Sequence, residues 1–174
     1  IRGHTSEITS IAMARSGRFA VTGSIDDTVR VWDLATGKQS GQISPGIGDV
    51  YSLLLSPDDR TVAVPFESNG VFSIGVWSLQ NGQLVGSIKA DNGARLFAGS
   101  LDWRRVVYAK GQPGQGNLLI YDLAKMAPVA PLSLPGIPVN MTVSRNGRYL
   151  AVSDENNLVH IWDIQAGKKL PPLS

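Results

Sequence analysis

Apolar residues in this chain gather in short runs, alternating or β-branched, separated by turn-forming pairs, and the pattern returns at intervals of about 43 residues. The clearest marker is an aromatic that ends one run in each interval: Val29-Arg30-Val31-Trp32, Ile74-Gly75-Val76-Trp77, Leu118-Leu119-Ile120-Tyr121 and Leu158-Val159-His160-Ile161-Trp162. Successive aromatics lie 45, 44 and 41 residues apart. Alternation over so few residues predicts strands, and the recurrence makes the four equivalent. An earlier strand is predicted in each interval at 8–12, 50–54, 96–100 and 139–143, followed by a second at 18–21, 61–64, 105–108 and 148–152. The second strands are entered through Ser16-Gly17, Asp58-Asp59 and Asn146-Gly147, pairs that tolerate positive φ and suit hairpins. In the third interval Leu101-Asp102-Trp103 takes that place, a poorer turn. Past each aromatic the chain turns through Thr36-Gly37, Asn81-Gly82, an irregular stretch at Lys125-Met126, and Ala166-Gly167, into a fourth short run such as Gln83-Leu84-Val85-Gly86.

Four strands joined by hairpins make an antiparallel meander, and a lone four-stranded sheet with two apolar faces must bury both by stacking on its neighbours. Radial stacking of such sheets is a β-propeller. The predicted fold class is therefore all-β, with propeller blades that are each a four-stranded antiparallel sheet, at approximately 1–44, 45–90, 91–134 and 135–174.

Composition agrees with many turns: 19 glycines and 10 prolines in 174 residues, with only 17% charged residues. No apolar run is long enough for a membrane helix, and the first residues lack the layout of a signal peptide. With no cysteine there is no disulfide, thiolate metal site or cysteine nucleophile, so the redox compartment stays open; a cytoplasmic location is the preferred expectation. Residues 1–87 hold six Lys and Arg against eight Asp and Glu, and residues 88–174 hold ten against six. The positives of the second half are scattered apart from Arg104-Arg105 and Lys168-Lys169, so neither a nucleic-acid nor a membrane partner is expected.

The first repeat resembles the WD-repeat family: Gly3-His4 opens it, residues 22–28 make its second hairpin turn, and Val29-Arg30-Val31-Trp32-Asp33 closes it. The resemblance extends along the whole chain and weakens in the second and third repeats. It implies a hydrogen-bonded chain that locks the blade, running through His4, Thr22 (or Ser24), Asp26 and Trp32. Such a set leaves no buried polar group unpaired. Blade 2 has Gly48-Asp49 where the histidine belongs, blade 3 has Tyr121 for tryptophan, and blade 4 has Asn156 in the place of Asp26. Only blade 1 is expected to form the full network, the others holding by packing alone. Rings of this family most often have seven blades, so four blades are read as part of a larger ring, with 1–3 as the tail of a preceding strand and 169–172 ending the last.

Other motifs lead nowhere catalytic. Gly111-Gln112-Pro113-Gly114-Gln115-Gly116 looks like a phosphate cradle, but no Lys-Ser/Thr and no helix follow, so it reads as a flexible inter-strand loop. Asn140-Met141-Thr142 matches a glycosylation acceptor but lies inside a predicted strand. His160 occupies the place of Arg30, with no second metal ligand near it, and is read as a surface or inter-blade residue. The pairs Asp26-Asp27, Asp58-Asp59 and Asp154-Glu155 fall on turns of different blades and are turn chemistry. No metal, cofactor or catalytic activity is expected.

The functional expectation is a non-catalytic interaction scaffold presenting loops to a protein or peptide partner. A small-molecule or enzymatic propeller would need polar residues on the first strand of several blades, and those strands are largely apolar and small. The family resemblance allows a third role, as the sensor or regulatory half of a longer signalling protein. Loop lengths suggest where a partner sits. Gly17 to Trp32 and Gly147 to Trp162 each span 15 residues, whereas Asp59 to Trp77 and Trp103 to Tyr121 each span 18. The surplus is placed in projecting loops at 66–71 and 111–116, with Tyr51, Phe66, Glu67, Asn69, Arg95, Gln112 and Gln115 as contacts.

Overall fold

The structure is a computed structural model that describes residues 2–44, 46, 48–68, 71–89, 94–99, 105–112, 115–122, 125, 127–144 and 146–171, with the backbone alone at 67, 68, 72, 94–97, 99, 105, 108–112, 115–117 and 130. Every regular element among the described residues is a strand. Blade 1 is β1 (Ile8–Met13), β2 (Phe19–Ser24), β3 (Val29–Asp33) and β4 (Gln39–Ile43). Blade 2 is β5 (Leu54–Leu55), β6 (Thr61–Ser68), β7 (Val71–Ser78) and β8 (Leu84–Lys89). Blade 3 is β9 (Ala94–Gly99), β10 (Arg105–Gln112), β11 (Gln115–Asp122) and β12 (Ala127–Leu134), and blade 4 is β13 (Pro138–Val143), β14 (Tyr149–Asp154), β15 (Val159–Asp163) and β16 (Lys168–Lys169). Each blade is an antiparallel meander with its strands in sequence order. Blades 1 and 2 form one compact unit (Ile1–Asn92), and blades 3 and 4 form a second (Gly93–Ser174).

The turn pairs read from the sequence are the turns observed. At Gly17, Gly37, Asp59, Gly82, Gly147 and Gly167 the second residue of the pair sits at φ between 60° and 70°. The Leu101-Asp102-Trp103 turn lies outside the described residues. Register makes the blades comparable position by position, since Trp32 faces Ala20, Trp77 faces Val62, Tyr121 faces Val106 and Trp162 faces Leu150.

Two expectations about strand length fail. The first strand of blade 2 is not 50–54 but only Leu54–Leu55. The backbone of Val50 is committed to blade 1 instead: its N–H donates to the Ser24 carbonyl at 3.1 Å, and its carbonyl accepts the Thr9 hydroxyl. The surplus residues of blades 2 and 3 also do not project as loops. They lengthen the hairpins, with Ser68 paired to Val71 and Gln112 to Gln115, so the expected flexible loop at 111–116 is mostly ladder.

Each unit has its own core. In the first, Val21, Val29 and Val31 of blade 1 pack on Val62, Val64 and Trp77 of blade 2. In the second, Val107, Leu118 and Ile120 of blade 3 pack on Leu150, Val152 and Trp162 of blade 4.

Candidate functional site

The four residues expected to lock blade 1 come together. Trp32 Nε1 donates to Thr22 Oγ1 at 2.8 Å, Thr22 Oγ1 lies 2.7 Å from His4 Nε2, and His4 Nδ1 lies 2.9 Å from Asp26 Oδ2. The direction of each bond follows from chemistry. An indole N–H can only donate, so the Thr22 oxygen accepts it and sends its single proton to His4 Nε2. Nε2 is then the acceptor, and Nδ1 carries the ring proton that Asp26 receives. Thr22 holds this place rather than Ser24, whose hydroxyl accepts the Asp26 N–H at 3.1 Å. Gly3 lets the chain lie across the tryptophan: a Cβ there would stand 2.6 Å from the Trp32 ring.

Burial alone would raise the pKa of Asp26. The Thr28 hydroxyl at 2.5 Å, the Thr5 N–H at 2.9 Å and His4 outweigh it and hold the carboxyl well below the usual aspartate range. Arg30 adds a guanidinium 3.6 Å from the same carboxylate. Both groups of the conceivable His4–Asp26 catalytic pair are thus engaged in holding a turn to a strand.

Blade 4 does not hold by packing alone. In blade 4, His160 stands where blade 1 has Arg30 and Asp154 stands where blade 1 has Ser24, as the facing pairs Val152–His160 and Thr22–Arg30 show. His160 is buried, and its Nε2–H donates to Asp154 Oδ2 at 2.9 Å, while Asp154 Oδ1 caps the N–H groups of Asn156 and Leu158. The His160 bond, then the Leu158 N–H, lower the Asp154 pKa. The histidine–aspartate pairing of blade 1 is therefore rebuilt from two different strand positions. In blade 2 the equivalent position is Gly75. A Cβ there would come within 2.3 Å of the Trp77 ring, and the space is filled instead by Trp77 with Phe66 edge-on at 5.2 Å. Tyr121, the blade 3 counterpart, is buried.

The expected partner contacts do not all look outward. Tyr51 is exposed, with its hydroxyl donating to Asp49 at 2.6 Å. Phe66 is half-buried on Trp77 and packs against the core of the first unit. Glu67, Arg95, Gln112 and Gln115 lie on β6, β9, β10 and β11, their side chains outside the described residues, as is Asn69 altogether. Asn140 of the acceptor-like motif lies on β13 as expected. Asp58 serves its turn through the Ser56 hydroxyl and the Arg60 N–H, and Asp59 crosses to blade 1, accepting the N–H groups of Arg15 and Ser16 at 2.8 and 2.9 Å. Among the described residues no cluster of three or more His, Asp or Glu could hold a metal, and no helix is long and apolar enough to cross a membrane.

The family model for the WD domain, G-beta repeat, matches residues 1–33 and 136–163, which are blade 1 through β3 and blade 4 through β15. The chain is 25% identical over 182 residues to a WD repeat-containing protein, SL1-17, from Schistosoma mansoni, covering 98% of this chain and 55% of that protein. It is 27% identical over 170 residues to TBC1 domain family member 31 of Mus musculus, covering 95% of this chain and 12% of that one. It is 28% identical over 144 residues to Cell division cycle 20.1, cofactor of APC complex, from Arabidopsis thaliana, covering 80% and 30%. The chain thus spans about half the length of the Schistosoma protein and about an eighth of the mouse one. With an aromatic next to the end of the third strand of every blade and the bonded His4–Thr22–Trp32 chain in place, the first and fourth blades match the WD-repeat family model, and the chain as a whole is similar to WD-repeat proteins.

Proposed function

We propose that these blades are a non-catalytic interaction scaffold that presents turn and hairpin surfaces to a protein or peptide partner, the general role of WD-repeat proteins. The observation that carries this reading is the use made of buried polar side chains. His4, Thr22, Asp26, Asp154 and His160 are all bonded to one another or to turns, so the reactive groups serve rigidity and the displayed surface is left for recognition. In the first unit the contacts are Tyr51, Glu67 and Asn69, toward the β6–β7 hairpin end of blade 2, with Phe66 bracing that hairpin from beneath; in the second unit they are Arg95, Gln112 and Gln115, toward the β10–β11 hairpin end of blade 3.

A further blade, from the same protein or another chain, covers the open face of blade 1. Ile11 and Met13 there are 70% and 60% exposed on the face that carries Trp32, whereas the matching face of blade 2, with Val62, Val64 and Trp77, is buried by valines of blade 1. The alternative, a regulatory part of a longer signalling protein, is favoured by the mouse relative, of which the chain matches only 12%.

The test is affinity capture with the full-length protein, comparing it with a folded variant whose β6–β7 and β10–β11 hairpins are trimmed to the length of β2–β3. Loss of the specific partner supports the site. Undiminished capture rejects it, and reproducible turnover by the purified blades, abolished by changing one polar side chain, would overturn the non-catalytic reading.

A further inference from the structure

The outermost strand of blade 3, β12, pairs with β11 along one edge. Its sequence is unusual for a strand: Lys125-Met126-Ala127-Pro128-Val129-Ala130-Pro131 sets two prolines three residues apart, with a lysine three residues before the first. Leu132 and Leu134 fix the strand to the core of the second unit. Pro128, Val129 and Pro131 are exposed, Val129 at 48%. Lys125 is exposed as well, in the turn that enters the strand, where its N–H donates to Asp122 Oδ1 at 3.0 Å.

A β-bulge aligns the two prolines. Tyr121 faces Pro128 and Leu119 faces Pro131, so β12 carries one residue more than β11 over this stretch. Tyr121 and Leu119, two apart on a strand, share a face, and the residues opposite them share it too, which sets both proline rings on one side. A polyproline II helix reaches the same alignment through its three residues per turn, and the proline φ of about −65° lies close to the value of about −75° in that helix. The exposure does not come from an uncovered blade face. Blade 2 has the same bulge, with Leu84 and Ser87 opposite Trp77 and Gly75, and Leu84 stays 49% exposed although valines of blade 1 pack on the face that carries Trp77. The blade 1 counterparts, Gln39 and Gln42, are exposed too. The outer rim of a blade thus displays these two positions, and blade 3 fills both with proline. Proline carries no N–H to offer a further strand, so this edge is suited to recognition through its rings rather than to strand addition.

We infer that the outer edge of blade 3 docks a partner domain that reads polyproline II segments, with Pro128 and Pro131 seated in a groove lined by aromatic rings and Lys125 paired with a carboxylate beside that groove. Two aligned proline rings flanked by a cation are the chemistry such domains select. The inference rests on the scaffold reading and adds to it a second docking surface, on the rim of the blade rather than at its hairpin tip.

The probe is a purified SH3 domain that selects a basic residue three positions before Pro-x-x-Pro, titrated against the full-length protein by calorimetry, beside an SH3 domain that selects the reverse order. The first is expected to bind saturably, the second at least about tenfold more weakly, and joint Pro128→Ala and Pro131→Ala or single Lys125→Glu to cost the first about tenfold in affinity. Circular dichroism and a thermal melt report whether the proline variant is folded, and Lys125→Glu, a change on an exposed turn, keeps the test decisive if it is not. No saturable binding up to about 1 mM, or affinity unmoved by either variant, would overturn the inference. So would binding confined to a free peptide of residues 123–134, which would mean that the sheet withholds the segment and its prolines only blunt an edge. Partner capture lost on trimming the hairpins, together with no binding of the SH3 domain, would leave the scaffold reading standing without this site.

Discussion

Replacing Thr22 by valine asks how much the bonded chain in blade 1 is worth. The side chain is 5% exposed, and valine matches threonine in shape, so packing is nearly unchanged and the loss is polar. Two bonds disappear, the indole N–H to Thr22 and the Thr22 hydroxyl to His4, leaving a donor and an acceptor beside a tryptophan that is 4% exposed. Each buried polar atom left bare costs about 1–3 kcal/mol, so Thr22→Val is expected to destabilise by about 3 kcal/mol. That is a large part of the 5–15 kcal/mol typical of a domain, and it corresponds to a fall of roughly 6–12 °C in Tm. Urea denaturation followed by circular dichroism measures it, and a double-mutant cycle with Trp32→Phe isolates the indole bond. The double mutant should lose less than the sum of the singles, since Phe removes the bare donor. A cost below about 0.5 kcal/mol for Thr22→Val, or strict additivity with Trp32→Phe, would refute the reasoning.

Gly75→Ala is expected to cost about 2 kcal/mol or more, because the new methyl group must displace the Trp77 ring or Phe66, and a thermal melt with unchanged midpoint would contradict it. His160→Leu should lower the unfolding midpoint by stripping Asp154 of its buried donor, whereas His160→Gln, which can still donate, should recover part of the loss. Because Asp26 has a folded-state pKa below its unfolded value, the unfolded chain takes up protons first as pH falls. Its contribution is complete above the ordinary aspartate range near 4 and declines below it, so Asp26→Asn should flatten the acid limb of a stability–pH curve measured by urea melts. Hydrogen exchange should find the β2 and β3 amides of blade 1 slower than those of β10 and β11 in blade 3, and equal rates would argue that the lock adds no local stability.

The features visible in the sequence were those whose geometry is set over short spans. A turn pair such as Asn146-Gly147 announces its positive φ, and the aromatic next to the end of each third strand announces the repeat. His4, Thr22, Asp26 and Trp32 were found because the first repeat keeps the family pattern. The rebuilt pairing in blade 4 was missed, since neither residue holds its usual place. The available signal was the hairpin register, which sets Val152 opposite His160 and so puts Asp154, two residues on, on the same face. The lengths of β6 and β7 were hidden by Pro65, which speaks against a continuing strand. It is tolerated because β5 pairs only as far as Ala63, leaving the rest of β6 as an edge. The short β5 itself was out of reach of local pattern, as the Val50 backbone is drawn away by a neighbouring blade.

Asp59 carries a consequence for how such blades could be exchanged. Its carboxylate, aimed by a left-handed backbone at φ 60°, receives two main-chain N–H groups from the first hairpin turn of the preceding blade. Because two of the bonds are to backbone, the clip asks first for the shape of that turn, with the Ser16 hydroxyl and the Arg15 charge adding to the hold. Blade 1 could then be replaced by a foreign repeat of similar turn geometry without loss of this link, whereas a replacement for blade 2 must bring its own aspartate. Modularity in this pair is directional: the donor blade is generic, and the acceptor blade holds the specification for the join.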